Sequence, residues 1–130
     1  MRVAGLSVDD GLVVDGGFTL EGGRRAAEEL VGRVDFTALF ASNDLMAIGA
    51  TRGLLDAGKR VPQDVSVAGF DDIEMAAYAP VPLTTMHVPT AELGQLGARL
   101  VLAALRQEEI KPVGVEATLV QRDSVARPRS

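Results

Sequence analysis

Short apolar runs alternate with segments of helical periodicity along most of the chain. The apolar runs have the length of strands and occupy residues 12–14, 37–41, 65–70, 83–88 and 115–121. The segments between them repeat their apolar residues every three to four positions and occupy residues 20–34, 43–57, 73–78 and 90–106. Strand-length runs that alternate with helical patterns are typical of parallel α/β sheets. The pattern therefore predicts an α/β fold, a three-layer parallel sheet with helices on both faces.

Three side chains suited to ligand contact follow predicted strands: Phe18 after the first, Asn43 after the second and Asp71 after the third. Open α/β sheets bind their ligands beyond the carboxyl ends of the strands. Asparagine offers amide donors and an acceptor, ionised aspartate only accepts hydrogen bonds, and phenylalanine offers a flat apolar face. Because this set contains no cation, it favours a neutral ligand rich in hydroxyl or amide groups over a phosphate.

The same polar residues also have a simpler interpretation as helix caps. Asn43 and Asp44 are favourable residues at the start of a helix. Asp71 and Asp72 could in the same way cap the short helix that follows them. One residue can both cap a helix and contact a ligand, so the spacing alone leaves both interpretations open.

Two of the predicted helices carry broad apolar surfaces. In the helix 43–57, the stripe assigned to the sheet consists of Met46, Ala47, Ala50, Leu54 and Ala57. A second stripe on this helix contains Leu45, Ile48 and Leu55, and it predicts contact either with another chain or with a neighbouring helix. The helix 90–106 has one wide apolar face, formed by Leu93, Leu96, Gly97, Leu100, Val101 and Ala104.

The composition limits the location and partners of the chain. Its 130 residues, 47% of them hydrophobic, suffice for one domain with a core, and a formal net charge of −5 disfavours contact with nucleic acid phosphates. No apolar run reaches the roughly 18 residues that a membrane span requires. Met1 to Gly5 resemble the end of a helix, and acidic residues follow too soon for a secretory signal. With cysteine absent as well, we expect a cytoplasmic location.

No arrangement of residues indicates catalysis, a metal or a cofactor. Neighbouring carboxylates on an extended chain, such as Asp71 with Asp72, point in opposite directions and rarely meet at one ion. The single histidine, His87, lies in an apolar run without a metal-ligand partner nearby in the sequence. Nucleophile elbows, phosphate loops and zinc-binding helical motifs are also missing from the sequence. We therefore predict that the chain is not an enzyme and uses no cofactor.

Four segments of the sequence have the order and spacing of known motifs: ASNDLMAIGA at 41–50, GKRVPQDVSVAGFDD at 58–72, PLTT at 82–85 and, more loosely, GGFT at 16–19. They resemble the motifs of the LacI/GalR family of bacterial transcriptional regulators, in which an aspartate stands at the position of Gly17. The resemblance covers nearly the whole chain. It implies one lobe of a type I periplasmic-binding-protein-like fold, within an effector-binding domain whose two lobes close over a sugar or nucleobase.

The resemblance also implies roles for individual residues. Phe18 would pack against the ring of the effector, and Asn43 and Asp71 would form hydrogen bonds with it. The second stripe of the helix 43–57 would form a homodimer contact with Tyr78 at its edge. A solute-binding protein of a sugar transporter shares this fold and is the alternative function. The specific sequence of residues 61–72 and the missing secretory signal favour the regulator.

The family's domain plan implies a division of the chain into three parts. Residues 1–88 would form the carboxy-terminal lobe, residues 89–111 a crossover helix that packs on the first lobe, and residues 112–130 a final strand and a polar tail. The polar composition of residues 122–130 predicts that this tail is frayed. The first lobe, the arginine-bearing helix that opens the second lobe and the DNA-reading helix-turn-helix are expected to be absent from this chain. The apolar face of the crossover helix would then fold back, swap with a second copy or aggregate.

Overall fold

A computed structural model of the chain describes residues 9–128, in which helices and strands alternate. The helices are a 3-10 helix at Asp10–Leu12, α1 (Leu20–Arg33), α2 (Asp44–Asp56), α3 (Glu74–Tyr78) and α4 (Thr90–Leu105). The strands are β1 (Ala38–Phe40), β2 (Ser66–Ala68), β3 (Thr85–His87) and β4 (Thr118–Val120). The predicted helices are confirmed, and the strands after the first are found in shorter form. The helical character predicted for Met1 to Gly5 lies outside the described residues.

The strands form two pairs that isolated bridges connect. β1 runs parallel to β2, whereas β3 runs antiparallel to β4. Parallel bridges between Ala68 and Thr84 and between Asp71 and His87 join the end of β2 to β3. The predicted three-layer parallel sheet is not confirmed, because the described strands form only two-stranded sheets. The direction of β4 depends on how the chain returns after α4, which the apolar pattern of a single strand does not specify.

The strand predicted at residues 12–14 is wrong. A 3-10 helix ends there instead, and the Asp9 carboxylate starts it by accepting a hydrogen bond from the Gly11 N–H at 2.9 Å. The chain then turns, and the Asp15 carboxylate accepts from the Gly17 N–H at 2.8 Å. A β-branched run forms a strand only where a partner strand is available. Here the carboxylates of Asp9 and Asp15 accept hydrogen bonds from backbone N–H groups two residues later instead.

Helices α1 and α2 pack closely because small residues line their contact. The Thr19 hydroxyl accepts a hydrogen bond from the Gly22 N–H at 3.0 Å, and α1 begins at Leu20, directly after Thr19, as the sequence predicts. Across the contact, a Cβ atom placed on Gly49 of α2 would lie 1.9 Å from the Leu20 carbonyl oxygen. Only glycine allows the two backbones to approach this far.

The core lies around α1, α2 and β2 and consists mostly of small aliphatic side chains. Its buried members are Ala27, Ala41, Met46, Ala47, Ala50, Leu54, Val61, Val65, Val67, Ala76 and Leu83. The stripe of α2 assigned to the interior is therefore buried except at Ala57, which is exposed. Within α4, by contrast, no residue is buried, and Leu105 is 77% exposed. Helix α4 does not fold back onto the core.

The chain after β4 is ordered by long-range hydrogen bonds, so the predicted frayed tail is wrong at residues 122–124. The Ser124 side chain is fully buried. Its hydroxyl donates to the Val67 carbonyl at 2.6 Å and accepts from the Thr84 N–H at 2.8 Å. These partners lie far back in the sequence, so the polar composition of the tail gave no sign of them.

Candidate functional site

Asn43 follows β1 and is the N-cap residue of α2. Its side-chain oxygen accepts a hydrogen bond from the Met46 N–H at 2.9 Å, which satisfies one of the donors that a helix start leaves open. The capping interpretation of Asn43 is therefore confirmed. Its amide nitrogen forms no hydrogen bond within residues 9–128, and the residue is only half-buried. A donor thus remains accessible at the start of α2.

Asp44, the first residue of α2, has a fully buried side chain. One carboxylate oxygen accepts from the Ile73 N–H at 2.9 Å, and the other accepts from the Thr85 hydroxyl at 2.5 Å. The space around it is tight, since a Cβ atom on Gly69 would lie 2.3 Å from a carboxylate oxygen. Asp44 therefore joins the start of α2 to the segment after β2 and to β3.

Asp71 and Asp72 form a strained turn after β2. Their φ angles are +109° and +56°, in a region that residues with a Cβ atom rarely adopt. The Asp71 N–H donates to the Met86 carbonyl at 2.9 Å, which fixes the turn to β3. Neither aspartate caps α3, because the N-cap residue of α3 is Ile73 and receives no side-chain cap. The capping interpretation of this pair is wrong.

The Asp72 carboxylate is bound by two basic side chains from the last pair of strands. Arg122 donates to one oxygen at 2.7 Å, and His87 Nδ1 lies 3.1 Å from the other. Arg122 also donates to the Leu83 carbonyl at 2.9 Å, so its guanidinium is fixed at two points. Burial acts to raise the pKa of Asp72, but the hydrogen bonds from Arg122 and His87 outweigh it and lower the pKa below its ordinary value. The charge of Asp72 is therefore matched inside the protein.

The Asp71 carboxylate differs from its neighbour, because no donor in the described part of the chain contacts it. Burial raises its pKa above the ordinary value, and the nearby Asp44 carboxylate adds to the rise. Asp71 is half-buried, so the carboxylate remains open on one side. A partly desolvated acceptor without an internal donor gains from a donor on a ligand. Asn43 follows β1 and Asp71 follows β2, and these two strands are parallel neighbours, so the two residues lie at the same edge of the strands.

Phe18 lies in a different environment. It follows Gly17 in a turn, has a φ angle of +55° and is 65% exposed. Its side chain lines an apolar groove of about 770 Å³ to which α1 and β1 contribute, and neither Asn43 nor Asp71 lines that groove. The structure therefore brings Asn43 and Asp71 to one edge. It does not bring Phe18 to that edge, but the groove that Phe18 lines extends to Ser42, next to Asn43.

The four residues of the predicted dimer contact lie on α2 and at the end of α3. Leu45 and Ile48 are half-buried, and Ile48 packs against the core. Leu55 is 38% exposed and Tyr78 is 82% exposed. The second stripe of α2 is thus partly covered within the chain and partly open.

Sequence reasoning did not find the roles of Asp44, Arg122 and His87. The sequence indicates Asp44 only as a helix cap, Arg122 as part of a polar tail and His87 as a histidine without a metal-ligand partner. One signal was available for Arg122, which comes directly after the alternating run 115–121 and therefore at the end of a strand. Nothing in the local sequence indicates the partners of Asp44.

The described residues contain neither a metal-binding group nor a membrane span. Across residues 9–128, no three His, Asp or Glu side chains are grouped to hold a metal ion. Every described helix is also too short or too polar to cross a membrane. A small α/β unit with an accessible amide donor and a carboxylate acceptor at its strand ends has the character of one lobe of a periplasmic-binding-protein-like fold.

Comparison with known proteins identifies the family. The periplasmic binding protein-like domain family matches residues 1–125. The ribose operon repressor of Escherichia coli strain K12 is 38% identical over 127 residues, which is 95% of this chain and 38% of the repressor. The solved complex of the transcriptional regulator CelR with cellobiose matches with a TM-score of 0.85 and 40% identity, over 95% of this chain and 38% of that one. The lac repressor dimer bound to operator and an anti-inducer matches with a TM-score of 0.78 and 28% identity, over 85% and 39% of the two chains.

The chain therefore belongs to the periplasmic binding protein-like domain family, and the resemblance to LacI/GalR regulators is confirmed. These relatives are transcriptional regulators rather than enzymes, which confirms the non-enzymatic prediction. The chain spans less than two fifths of the length of the ribose operon repressor.

Proposed function

We propose that this chain is the effector-binding part of a cytoplasmic, DNA-binding transcriptional regulator. Its effector is a small neutral molecule of the sugar or nucleobase class. Asn43 and Asp71 form hydrogen bonds with the effector, and Phe18 packs against its ring. DNA is contacted only through a helix-turn-helix that is not part of this chain. The observation that carries the proposal is the Asp71 carboxylate, which is half-buried, has a raised pKa and lacks a donor among the described residues.

The charges around the edge support a neutral ligand over an anion. Asp71 lies close to the Asp44 carboxylate, and the Arg122 guanidinium is bound to Asp72. A phosphate would meet the Asp71 carboxylate, with the buried Asp44 charge behind it and no free cation beside it among the described residues, which is unfavourable. Hydroxyl and amide groups can instead donate to Asp71 and accept from the Asn43 amide. The cellobiose in the CelR complex and the ribose in the repressor's name support a sugar.

Isothermal titration calorimetry of the 130-residue chain tests this proposal, with D-ribose, cellobiose and adenine as probes. The Asp71→Asn variant keeps the shape of the side chain but replaces an acceptor oxygen with a donor nitrogen. We expect at least about a tenfold loss of affinity for the responding probe, which is roughly 1.4 kcal/mol. The matched control is Asp56→Asn at the opposite end of α2, which should bind like the wild type.

Two results would contradict the proposal in different ways. If Asp71→Asn binds the responding probe as tightly as the wild type, the site is not at this edge. If none of the three probes produces heat with the wild type, this edge does not bind the effector in the 130-residue chain, which contradicts the proposed site.

The proposal includes a homodimer, formed through the second stripe of α2. Leu45, Ile48 and Leu55 recur on one side of the helix, and Tyr78 extends this apolar surface from α3. The exposed fractions of Leu55 and Tyr78, 38% and 82%, leave area for a partner. The lac repressor relative was solved as a dimer, which supports the same arrangement here.

The proposal also keeps the division of the chain at residues 88 and 111. Residues 1–88 belong to the carboxy-terminal lobe, and residues 112–130 return to it. The contacts of Ser124 with Val67 of β2 and with Thr84, just before β3, support this return. Residues 89–111 carry α4 to the first lobe. Burying one leucine side chain is worth about 1.5–3 kcal/mol, and α4 exposes Leu93, Leu102 and Leu105 by 49%, 51% and 77%. This exposed surface supports a covering partner for α4.

A further inference from the structure

We infer that Asp72 and Arg122 are a positioning pair, whose ion pair holds the strained turn that presents the Asp71 carboxylate to the effector. Neither of the two side chains is assigned a contact with the effector. The inference rests on the proposed function, in which Asp71 accepts a hydrogen bond from the ligand.

The strain of the turn requires contacts that hold it in place. Two successive residues with a Cβ atom have positive φ angles here, and such conformations persist only where the surroundings enforce them. The backbone supplies one contact on each side of the turn, from the Asp71 N–H to Met86 and from the Ile73 N–H to Asp44. Asp72 lies between them, and its own contacts are made by its carboxylate. Both oxygens of that carboxylate are bound, one by Arg122 and one by His87.

The Asp72–Arg122 pair differs from the ion pairs on the surface of the chain. The side chains of Asp72 and Arg122 are 16% and 20% exposed, whereas those of the Arg52–Asp56 pair are 69% and 42% exposed. Arg52 and Asp56 are separated by one helical turn, but Asp72 and Arg122 bring together segments that are distant in sequence. Exposed pairs contribute little to stability, while a partly buried and hydrogen-bonded arginine fixes geometry. The second bond of Arg122, to the Leu83 carbonyl, adds to this rigidity.

A purely structural role is the competing explanation, in which the pair only joins the end of β4 to β3. The two explanations differ in what happens to Asp71 when the fold remains intact. A positioning role requires that loss of the pair changes the environment of the Asp71 carboxylate. A purely structural role lowers stability while the environment of Asp71 in the folded state stays the same.

NMR spectroscopy of the Arg122→Gln chain separates these explanations. We expect the Asp71 amide, which donates to Met86, to exchange at least about tenfold faster with solvent. Loss of the Arg122 charge alone would raise the Asp71 carboxyl pKa further. A positioning role instead predicts that the pKa moves back toward its ordinary value as the turn opens, while amides of β1 and β2 keep their protection. The control is Arg52→Gln, which removes an exposed ion pair and should leave Asp71 unchanged. Unchanged amide exchange of Asp71 in folded Arg122→Gln, with a pKa that stays or rises, would overturn the inference.

A second variant keeps the test valid if Arg122→Gln does not fold. Asp72→Asn retains the size of the side chain and one acceptor but removes the charge, and the same two Asp71 signals should change. These NMR measurements need no ligand, so they are independent of the calorimetry. A response of Asp71 to these variants in a chain that binds no probe would support the turn geometry and contradict the proposed function. Probe binding that depends on Asp71 but is unchanged in Arg122→Gln would support the proposed function and contradict the positioning role of the pair.

Discussion

The buried carboxylate of Asp44 provides the sharpest test of how the strand ends are assembled. In the Asp44→Ala variant, the Ile73 N–H and the Thr85 hydroxyl lose their acceptor inside the protein. Each buried donor left without a partner costs about 1–3 kcal/mol, so the variant should lose roughly 2–6 kcal/mol of unfolding free energy. Small domains are stable by only about 5–15 kcal/mol. The substitution is therefore expected to remove a large share of the total stability.

Urea unfolding at pH 7, followed by far-ultraviolet circular dichroism, measures this loss. The matched control is Asp56→Ala, which removes an aspartate from the last turn of the same helix. Among the described residues, Asp56 forms its ion pair with Arg52 on the surface, where water replaces the lost contact, so the midpoint of the variant should stay at the wild-type value. If Asp44→Ala shifts the midpoint no more than Asp56→Ala does, the buried hydrogen bonds do not carry the stability assigned to them.

A double-mutant cycle isolates the contact between Asp44 and Thr85. Thr85→Val removes the hydroxyl that donates to the carboxylate and leaves a charged oxygen without that donor. In the Asp44→Asn background the group left behind is neutral, so the same threonine substitution should cost less. The coupling between the two substitutions should reach about 0.5–3 kcal/mol. Equal costs of Thr85→Val in both backgrounds would show that the charge of Asp44 plays no part.

Three further predictions concern the dimer face, the helix contact and the effect of pH. Ile48→Asp should give the monomer mass in analytical ultracentrifugation while Val101→Asp on α4 keeps the dimer; the opposite pattern would assign association to α4. Gly49→Ala should lower the unfolding free energy by about 1–3 kcal/mol or more, because the added Cβ atom would meet a carbonyl oxygen. Gly32→Ala in α1 meets open space and should raise the unfolding free energy by about 0.5–1 kcal/mol. Because the pKa of Asp71 is raised in the folded state, its ionisation costs stability as the pH rises through that pKa. Asp71→Asn should therefore exceed the wild type in urea midpoint at pH 7 and lose this advantage below pH about 3.9; a difference that does not depend on pH would contradict the origin assigned to it.

The helices could be predicted from the sequence because their signals are local. Thr19 and Asn43 each cap a helix through a hydrogen bond to an N–H three residues later. Gly58 follows α2 with a φ angle of +77°, as its position after the apolar pattern indicates. Such contacts involve residues within one helical turn, so one segment of sequence contains both partners.

The strands and the candidate site could be predicted only in part, because their contacts are long-range. The run at residues 12–14 has the composition of a strand but no partner strand beside it among the described residues. Asp44 binds donors 29 and 41 residues away, and Arg122 binds an oxygen 50 residues away. The sequence pattern correctly placed Asn43 and Asp71 near strand ends. Which carboxylate is bound internally and which is left open depends on these distant donors.

The connection through α4 gives the Asp72 carboxylate a particular position in the fold. β3 ends with His87, the chain then passes through α4, and β4 leads within two residues to Arg122. The residues on both sides of the segment that contains α4 therefore bind the same carboxylate, His87 on one oxygen and Arg122 on the other. A movement of α4 must be absorbed by the linkers on either side of it or must disturb the turn that contains Asp71. Helix α4 has no buried residue of its own. A surface that covers α4 is therefore connected to the proposed effector acceptor, Asp71, through His87 and Arg122 on either side of the helix.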